Sequence, residues 1–345
     1  MSNSLSYSGI NTKVKAMGSK LITYEDYQKI AAFDVVADLI AYLKNHPGYS
    51  GIFEKYDEHE VHREEAEQLF INGLYLDYAS IYKFGNVEQR TTLELVFFRH
   101  EVNVLKACIR LIYNKEDAYD LSASHPFFSK HSKINLSTLS ASHSMEEYIN
   151  NLKGTEYHDM LAKMLAKGNA TSFDYEMQLD VYYFTKSWRL KDKKLKGENR
   201  LAFTKRLGAE IDMLNIMWIY RSKTMYDMGP ADIFFYLIPV NYKLSKAMLA
   251  TLVNTVSIDE FTNLLNTTRY KMFYQGIREE NMESVFYKAL NRVYKNNVRE
   301  YPDSMSLVSY YLFRKDNEIA RLTTAIECIR YKLDSSSKMK YIFQT

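Results

Sequence analysis

A glutamate followed by an amphipathic pattern occurs three times in this chain and constrains its fold more than any other feature. The copies start at Glu101, Glu210 and Glu318, which are 210 − 101 = 109 and 318 − 210 = 108 residues apart. Counted from the residue after each glutamate, apolar side chains fall at offsets 0, 3, 6 and 7. These offsets share one face of a helix with about 3.6 residues per turn. The leucine in each copy is a predicted core position: Leu105, Leu214 and Leu322.

The glutamates are interpreted as structural residues and not as catalytic ones. A catalytic carboxylate pair needs members a few ångströms apart with perturbed pKa values, whereas these three belong to three separate copies. An arginine follows two to three helical turns later in each copy, and we expect each to pair with a carboxylate on a neighbouring helix. These arginines are Arg110, Arg221 and Arg330.

A second marker supports the same repeat. The segment that begins at Ser144 is echoed by the one that begins at Ser257, and each serine precedes a glutamate by three residues. That spacing is typical of a capping box, which satisfies backbone N–H groups at a helix start. A leucine and a tyrosine follow at equal distances, as Leu152 with Tyr157 and Leu265 with Tyr270. In the first copy Leu43 and Tyr49 stand at similar places, with a less clear cap. Two markers with one period predict three related helical units.

The predicted fold class is all-α. No proline occurs between Pro47 and Pro126, or between Pro126 and Pro230, and proline is costly inside helices. The proposed division is a first helical unit at 1–121, a Ser-rich connector at 122–143, a second unit at 144–226, a connector at 227–240, and a third unit with a tail at 241–345. The serines of the tail, from 334 onward, are expected to be loose.

Composition and charge exclude several classes of protein. With 46% hydrophobic and 25% charged residues among 345, the chain can bury a core and is not disordered. The net charge of +3 does not indicate a nucleic-acid partner; the basic run at 186–196 is interpreted as a solvated helix end or loop in preference to a phosphate-binding segment. The strongest apolar run of the chain, residues 233–240, is too short to cross a bilayer. Residues 1–18 lack the apolar segment of a signal peptide. Cys108 and Cys328 are expected to be buried, reduced thiols in preference to a disulfide.

Sequence motifs for catalysis, cofactors or metals are missing. No glycine-rich phosphate loop, no nucleophile elbow and no glutamate three residues before a histidine occurs. His59 and His62 are three residues apart, one short of the spacing in zinc proteases, so a solvated helix face is favoured there over a metal site. We therefore predict no catalytic residue, no cofactor and no metal.

Two segments resemble a known family. Glu210-Ile211-Asp212-Met213-Leu214-Asn215-Ile216, with Trp218-Ile219-Tyr220-Arg221, resembles the signature helix of the C subunit of archaeal and bacterial V-type ATPases and ATP synthases, whose eukaryotic counterpart is the d subunit of vacuolar ATPases. The segment from Tyr7 to Met17, followed by Leu21, is similar to the opening helix of that family. The resemblance covers essentially the whole chain.

The resemblance implies a funnel of three similar helical bundles with pseudo-three-fold symmetry. It implies a non-catalytic rotor subunit of the central stalk, peripheral on the cytoplasmic side of the membrane. Its partners would be the membrane proteolipid ring and the central shaft subunits, between which it passes torque for proton or sodium transport. A helical-repeat scaffold for another protein is the alternative function, and an enzyme with an unrecognised helical site is a third.

Overall fold

The protein is built from α-helices. The computed structural model describes residues 3–115, 126–274 and 281–344, and no β-strand is present in these ranges. This confirms the all-α prediction. The helices in chain order are α1 (Asn3–Gly18), α2 (Tyr24–Ala31), α3 (Val36–Asn45), α4 (Ser50–Phe53), α5 (Arg63–Phe84), α6 (Val87–Asn114), α7 (Pro126–His131), α8 (Leu136–Ser140), α9 (Met145–Asn151), α10 (His158–Lys167), α11 (Ser172–Lys194), α12 (Gly197–Thr224), α13 (Pro230–Tyr236), α14 (Lys246–Asn254), α15 (Ile258–Leu265), α16 (Met282–Glu300), α17 (Ser306–Arg330) and α18 (Ser335–Gln344).

One order of elements recurs along the chain. Short helices are followed by two long helices, first as α5 and α6, then as α11 and α12, and finally as α16 and α17. The repeated glutamates lie near the middle of the second long helix each time, in α6, α12 and α17. The chain forms two compact units, and their boundaries do not follow the three copies. Unit 1 comprises Met1–Asn86, Gly197–Arg206 and Asn266–Thr345; unit 2 comprises Val87–Lys196 and Leu207–Leu265.

In unit 2, α6 and α11 run antiparallel and are joined by charged side chains. Arg110 Nη1 lies 2.6 Å from Glu176 Oε2, and Lys106 Nζ lies 2.6 Å from Asp180 Oδ2. Because the residue number falls on α6 as it rises on α11, the two helices point in opposite directions. Both helices carry buried apolar side chains, among them Val102, Leu105, Cys108, Ile109, Tyr175, Leu179 and Tyr183.

In unit 1, α17 runs antiparallel to α5. The Tyr311 hydroxyl donates to Asp77 Oδ2 at 2.7 Å, and Arg63 Nε lies 2.7 Å from Glu327 Oε1. The core of this unit also draws on the short helices α2 to α4 and on α18. Its buried members include Ile30, Leu39, Ile40, Leu43, Tyr49, Phe53, Phe70, Leu322, Ile326, Ile329 and Ile342.

The predicted serine caps are present at both helix starts. The Ser144 hydroxyl accepts from the Glu147 N–H at 3.1 Å, and the Ser257 hydroxyl accepts from the Glu260 N–H at 3.1 Å. The glutamate side chains differ from a capping box, because each accepts from the amide before the serine, at 2.9 and 2.7 Å. At the corresponding place in the first copy, α3 starts after Val35 without a side-chain cap.

The segment expected to be a loose tail is helical, so that expectation was wrong. Asp334 Oδ1 accepts from the N–H groups of Ser336 and Ser337 at 3.0 Å each and so starts α18. Ile342 is fully buried, and the Phe343 ring lies 5.4 Å from the Tyr27 ring. The two proposed connectors contain helices α7, α8 and α13; residues 122–125 lie outside the described residues.

Candidate functional site

Helix α17 carries Glu318 into the core of unit 1. The side chain is 4% exposed and its carboxylate accepts three hydrogen bonds. They come from the Ile22 N–H at 2.5 Å, the Tyr49 hydroxyl at 2.7 Å and Lys315 Nζ at 2.8 Å. Lys315 is itself buried and lies 4.0 Å from the centre of the Tyr49 ring. A buried carboxylate is tolerated when a cation and further donors satisfy it, and Glu318 meets that condition.

Helix α6 places Glu101 in a comparable setting in unit 2. Its Oε2 accepts from the Ser132 hydroxyl at 2.6 Å, and its Oε1 accepts from the Tyr157 hydroxyl. Burial raises the pKa of Tyr157, and the neighbouring Glu101 raises it further. The phenol therefore keeps its proton at neutral pH and remains a donor to the carboxylate.

The tyrosines that correspond in the sequence copies bind two of the repeated glutamates. Tyr157 donates to Glu101, and Tyr49 donates to Glu318. Burial and Glu318 likewise raise the pKa of Tyr49. The third of these tyrosines, Tyr270, is also buried. Sequence spacing identified the tyrosines, but it gave no indication that their hydroxyls meet the glutamates.

Glu210 differs from the other two glutamates because an arginine binds its carboxylate. It is fully buried on α12, and Arg99 Nη1 pairs with its Oε1. The Arg99 side chain remains 39% exposed, so the ion pair reaches from the interior to solvent. Charge-assisted hydrogen bonds of this kind are stronger than neutral ones.

Two polar residues of α12 that the sequence analysis did not single out hold the following segment in place. Asp212 is fully buried and accepts from the N–H groups of Lys243 at 2.7 Å and Leu244 at 3.0 Å. Asn215 donates to the Ile238 carbonyl at 3.1 Å and accepts from the Ile238 N–H at 2.9 Å. Asp212 and Asn215 are three residues apart, so they share a helix face, and their sequence neighbours are apolar. This pattern is the feature of the sequence that could have indicated a polar contact on a buried helix face.

The predicted leucines and arginines fall into different settings. Leu105 and Leu322 are fully buried as expected, whereas Leu214 is only half-buried, so that expectation was wrong. Arg110 pairs with Glu176 on α11 as expected. Arg330 departs from the expected contact, because it pairs with Glu327 on its own helix at 3.1 Å. The Arg221 guanidinium lies 5.8 Å from the centre of the Trp218 ring, also on its own helix.

The paired histidines, the basic run and the cysteines lie in different parts of the fold. His59 and His62 are exposed, but they precede α5 instead of lying on a helix face. The basic run lies at the carboxyl end of α11, where the helix dipole stabilises cations. Lys191 within this run is nevertheless buried against Trp188. The two cysteine thiols, of Cys108 and Cys328, are free and buried. Among the described helices, none is long and apolar enough for a membrane span.

Comparison with known proteins agrees with the family resemblance seen in the sequence. Residues 10–341 match the family model described as ATP synthase (C/AC39) subunit. The chain is 26% identical over 321 residues to the A-type ATP synthase C subunit of Methanosarcina barkeri, covering 90% of this chain and 85% of that protein. It is 25% identical over 341 residues to the A-type ATP synthase C subunit of Pyrococcus horikoshii, covering 94% of this chain and 87% of that protein. The match spans nearly all of the sequence, so this chain belongs to the ATP synthase C/AC39 subunit family.

Proposed function

We propose that this chain is a non-catalytic rotor subunit of the central stalk of a V-type or A-type ATPase or ATP synthase. It acts as a socket that joins the membrane proteolipid ring to the central shaft and transmits torque for ion transport. The observation that carries the proposal is the family match over residues 10–341. The relatives named as the C subunit of A-type ATP synthases, each matched over most of its length, support the same assignment.

The construction of each unit suits a part that must resist twisting. A torque-transmitting subunit has to stay rigid, since any bending of its helices weakens the coupling of its partners. Glu101 and Glu318 tie long helices to distant segments through tyrosine hydroxyls. Asp212 fixes the backbone that follows α13. We propose that these buried polar contacts act as internal anchors and that the three copies are related by pseudo-three-fold symmetry.

The partners and the location of the subunit follow from this role. We propose that it sits peripherally on the cytoplasmic face of the proteolipid ring and holds the end of the central shaft. The sequence offers no glycine-rich phosphate loop, which supports a subunit that neither binds nor hydrolyses ATP through such a motif. A helical-repeat scaffold for an unrelated partner is the alternative.

The test compares an assembled complex with and without this subunit. ATP-driven ion transport and ATP hydrolysis are measured side by side in reconstituted vesicles. We expect the soluble head to continue hydrolysing ATP while transport falls to background when the subunit is omitted, and adding the purified chain back should restore transport. Transport at full rate without the subunit would reject the socket role and favour the scaffold.

A further inference from the structure

A cleft of about 570 Å³ opens between α16 and α17 in unit 1, and α2 and α18 contribute to its wall. We call it the α16–α17 cleft. Its volume falls in the range of about 300–1,000 Å³ that is typical of small-molecule sites. Glu318 lines it, but the carboxylate of Glu318 is already bound by Lys315 and two further donors.

The charges around the cleft are strongly unbalanced. Four cationic side chains line it, Lys288 and Lys295 from α16 and Arg314 and Arg321 from α17. Lys288, Lys295 and Arg314 are exposed, and neither lysine makes an ion pair with a carboxylate in the described part of the chain. Since Lys315 offsets the charge of Glu318, the cleft has an excess of positive charge. Such a site attracts an anion with several charges.

Two buried polar groups lie on the wall of the cleft. One is the hydroxyl of Tyr27, whose side chain is 2% exposed and whose hydrogen-bonding neighbour is the Arg321 guanidinium; the other is Nε of Arg321, which has no hydrogen-bond partner among the described residues. The Arg321 guanidinium lies 4.7 Å from the Phe343 ring centre and 5.9 Å from the Tyr27 ring centre. Leaving a buried donor unpaired is unfavourable, and nearly all buried polar groups in proteins find a partner. Two such donors on one wall of a cationic cleft match the oxygens of an anionic ligand.

The Tyr27 hydroxyl is a donor at neutral pH. Burial raises the pKa of Tyr27 and the carboxylate of Glu318 raises it further, although Arg321 opposes the shift. A protonated phenol and a guanidinium N–H can donate side by side to two oxygens of one phosphate group. Arginine is well suited to such an oxyanion because its donors form a planar fork.

We propose that the α16–α17 cleft binds a small phosphate-bearing compound, whose oxygens accept from the Tyr27 hydroxyl and Arg321 Nε–H. Lys288, Lys295 and Arg314 hold further negative charge at the mouth of the cleft. A phosphate compound matches the cleft better than a single carboxylate does, because it places several charges on one compact group. Transmission of torque requires no such ligand, so this site goes beyond the proposed function and stands independently of it.

The test is calorimetric titration of the purified full chain with inorganic pyrophosphate at low salt. We expect saturable binding to the unchanged protein. Tyr27→Phe should weaken binding by about tenfold, the effect of losing one hydrogen bond to a charged group. The same substitution should change the melting temperature little, because it keeps the buried ring and removes only the contact between the hydroxyl and the Arg321 guanidinium. This separates loss of the site from loss of the fold.

Charge-matched double variants test the mouth of the cleft. Lys288→Gln with Lys295→Gln should weaken pyrophosphate binding by about tenfold or more. Lys163→Gln with Lys167→Gln removes the same charge from the exposed face of α10 in unit 2 and should leave binding within about twofold of the unchanged protein. Equal weakening in both double variants would mean that pyrophosphate binds through net charge alone, and it would overturn the proposal.

Further arms identify the source of the phosphate. Co-sedimentation with vesicles containing a phosphorylated phosphatidylinositol, displaced by pyrophosphate, would assign the phosphate to a lipid headgroup. Pyrophosphate binding without vesicle binding would assign it to a free compound. Failure of pyrophosphate to bind would overturn the proposal. Binding of an acidic peptide in place of pyrophosphate would also overturn it and would make the cleft a protein contact.

Discussion

Tyr49 and Glu318 stand 269 positions apart in the sequence, yet the Tyr49 hydroxyl donates to Glu318 Oε1 at 2.7 Å in the interior of unit 1. The contact joins the short helices near the start of the sequence to α17 near its end. In unit 2 the corresponding contact is between Tyr157 and Glu101. A tyrosine from one copy of the repeat therefore completes the setting of a glutamate from another.

The repeated leucines should differ in their contribution to stability. Leu105→Ala and Leu322→Ala should each lower the free energy of unfolding by about 2–5 kcal/mol, because both side chains are fully buried and their removal leaves a cavity. Leu214→Ala should cost less than either, since Leu214 is half-buried. Chemical denaturation followed by circular dichroism measures all three. Equal losses at the three positions would contradict the burial described for α12.

The carboxylate of Asp26 should make stability depend on pH in acid. Burial acts to raise its pKa, but hydrogen bonds from Tyr42 and Thr23 prevail and lower it from 3.8 to about 2. Because the folded state favours the charged form, this stabilisation is present above pH 3.8 and is lost as the pH falls toward 2.

Asp26→Asn should therefore lower stability at pH 6 and flatten its pH dependence between about pH 4 and pH 2. Urea denaturation at a series of pH values measures this. The control is Asp38→Asn, which changes an exposed carboxylate in the first turn of α3. If both variants kept the pH dependence of stability that the unchanged protein shows in acid, the contacts of Asp26 would not be the cause of that dependence.

Gly208 should not tolerate a larger residue. A Cβ atom added there would lie 2.4 Å from Cγ of Tyr242, a distance that requires the ring to move. Gly208→Ala should destabilise the protein by about 1–3 kcal/mol, the usual cost of overpacking, even though alanine favours helices. Gly51→Ala is the control, because no atom lies within 4 Å of its added Cβ. Thermal unfolding should separate the two variants, and equal melting temperatures would contradict the close packing of Tyr242.

Asp212 should control the backbone after α13. Asp212→Asn replaces one acceptor oxygen with an NH₂ group, so the N–H groups of Tyr242, Lys243 and Leu244, which share the two carboxylate oxygens, cannot all be satisfied. Hydrogen exchange among these amides should become faster, with a global loss of about 1–3 kcal/mol. The control is Asp259→Asn, which changes an exposed carboxylate on α15 and should leave these amides unchanged. Unchanged exchange in Asp212→Asn would show that the carboxylate does not protect them.

Local sequence patterns predicted helices, their starts and part of the core. The serine caps at Ser144 and Ser257 and the burial of Leu105 and Leu322 follow from spacing along a single helix. Such information is contained in a few consecutive turns, which is why one sequence is enough to detect it. The cap of α18 at Asp334 is an equally local signal, but the three serines after it are also typical of a loose tail, so the pattern alone favours the wrong state.

Contacts across the fold could not be predicted in the same way. Leu214 follows the template of Leu105, but the middle of α12 has no exposed face before it, since residues 207–213 are all buried. Hydrophobic periodicity identifies the buried face of a helix that also has an exposed face. On a helix segment buried on every face, periodicity cannot tell which positions are buried most deeply. Similarly, the partners of Glu101 and Glu318 are set by packing between distant segments, which the spacing of residues within one helix does not encode.

The discontinuous make-up of unit 1 has a consequence for synthesis of the chain. Unit 2 has all its residues once Leu265 has been added, whereas unit 1 needs α17 and α18 to close around Met1–Asn86. During translation the first 86 residues must therefore wait, with Tyr49 and the apolar faces of α2 to α5 lacking their cover, until the last 80 residues emerge. During this delay the exposed apolar surface of the early helices makes the chain prone to aggregate. The discontinuous make-up of unit 1 also means that unit 2 can complete its fold before unit 1 does.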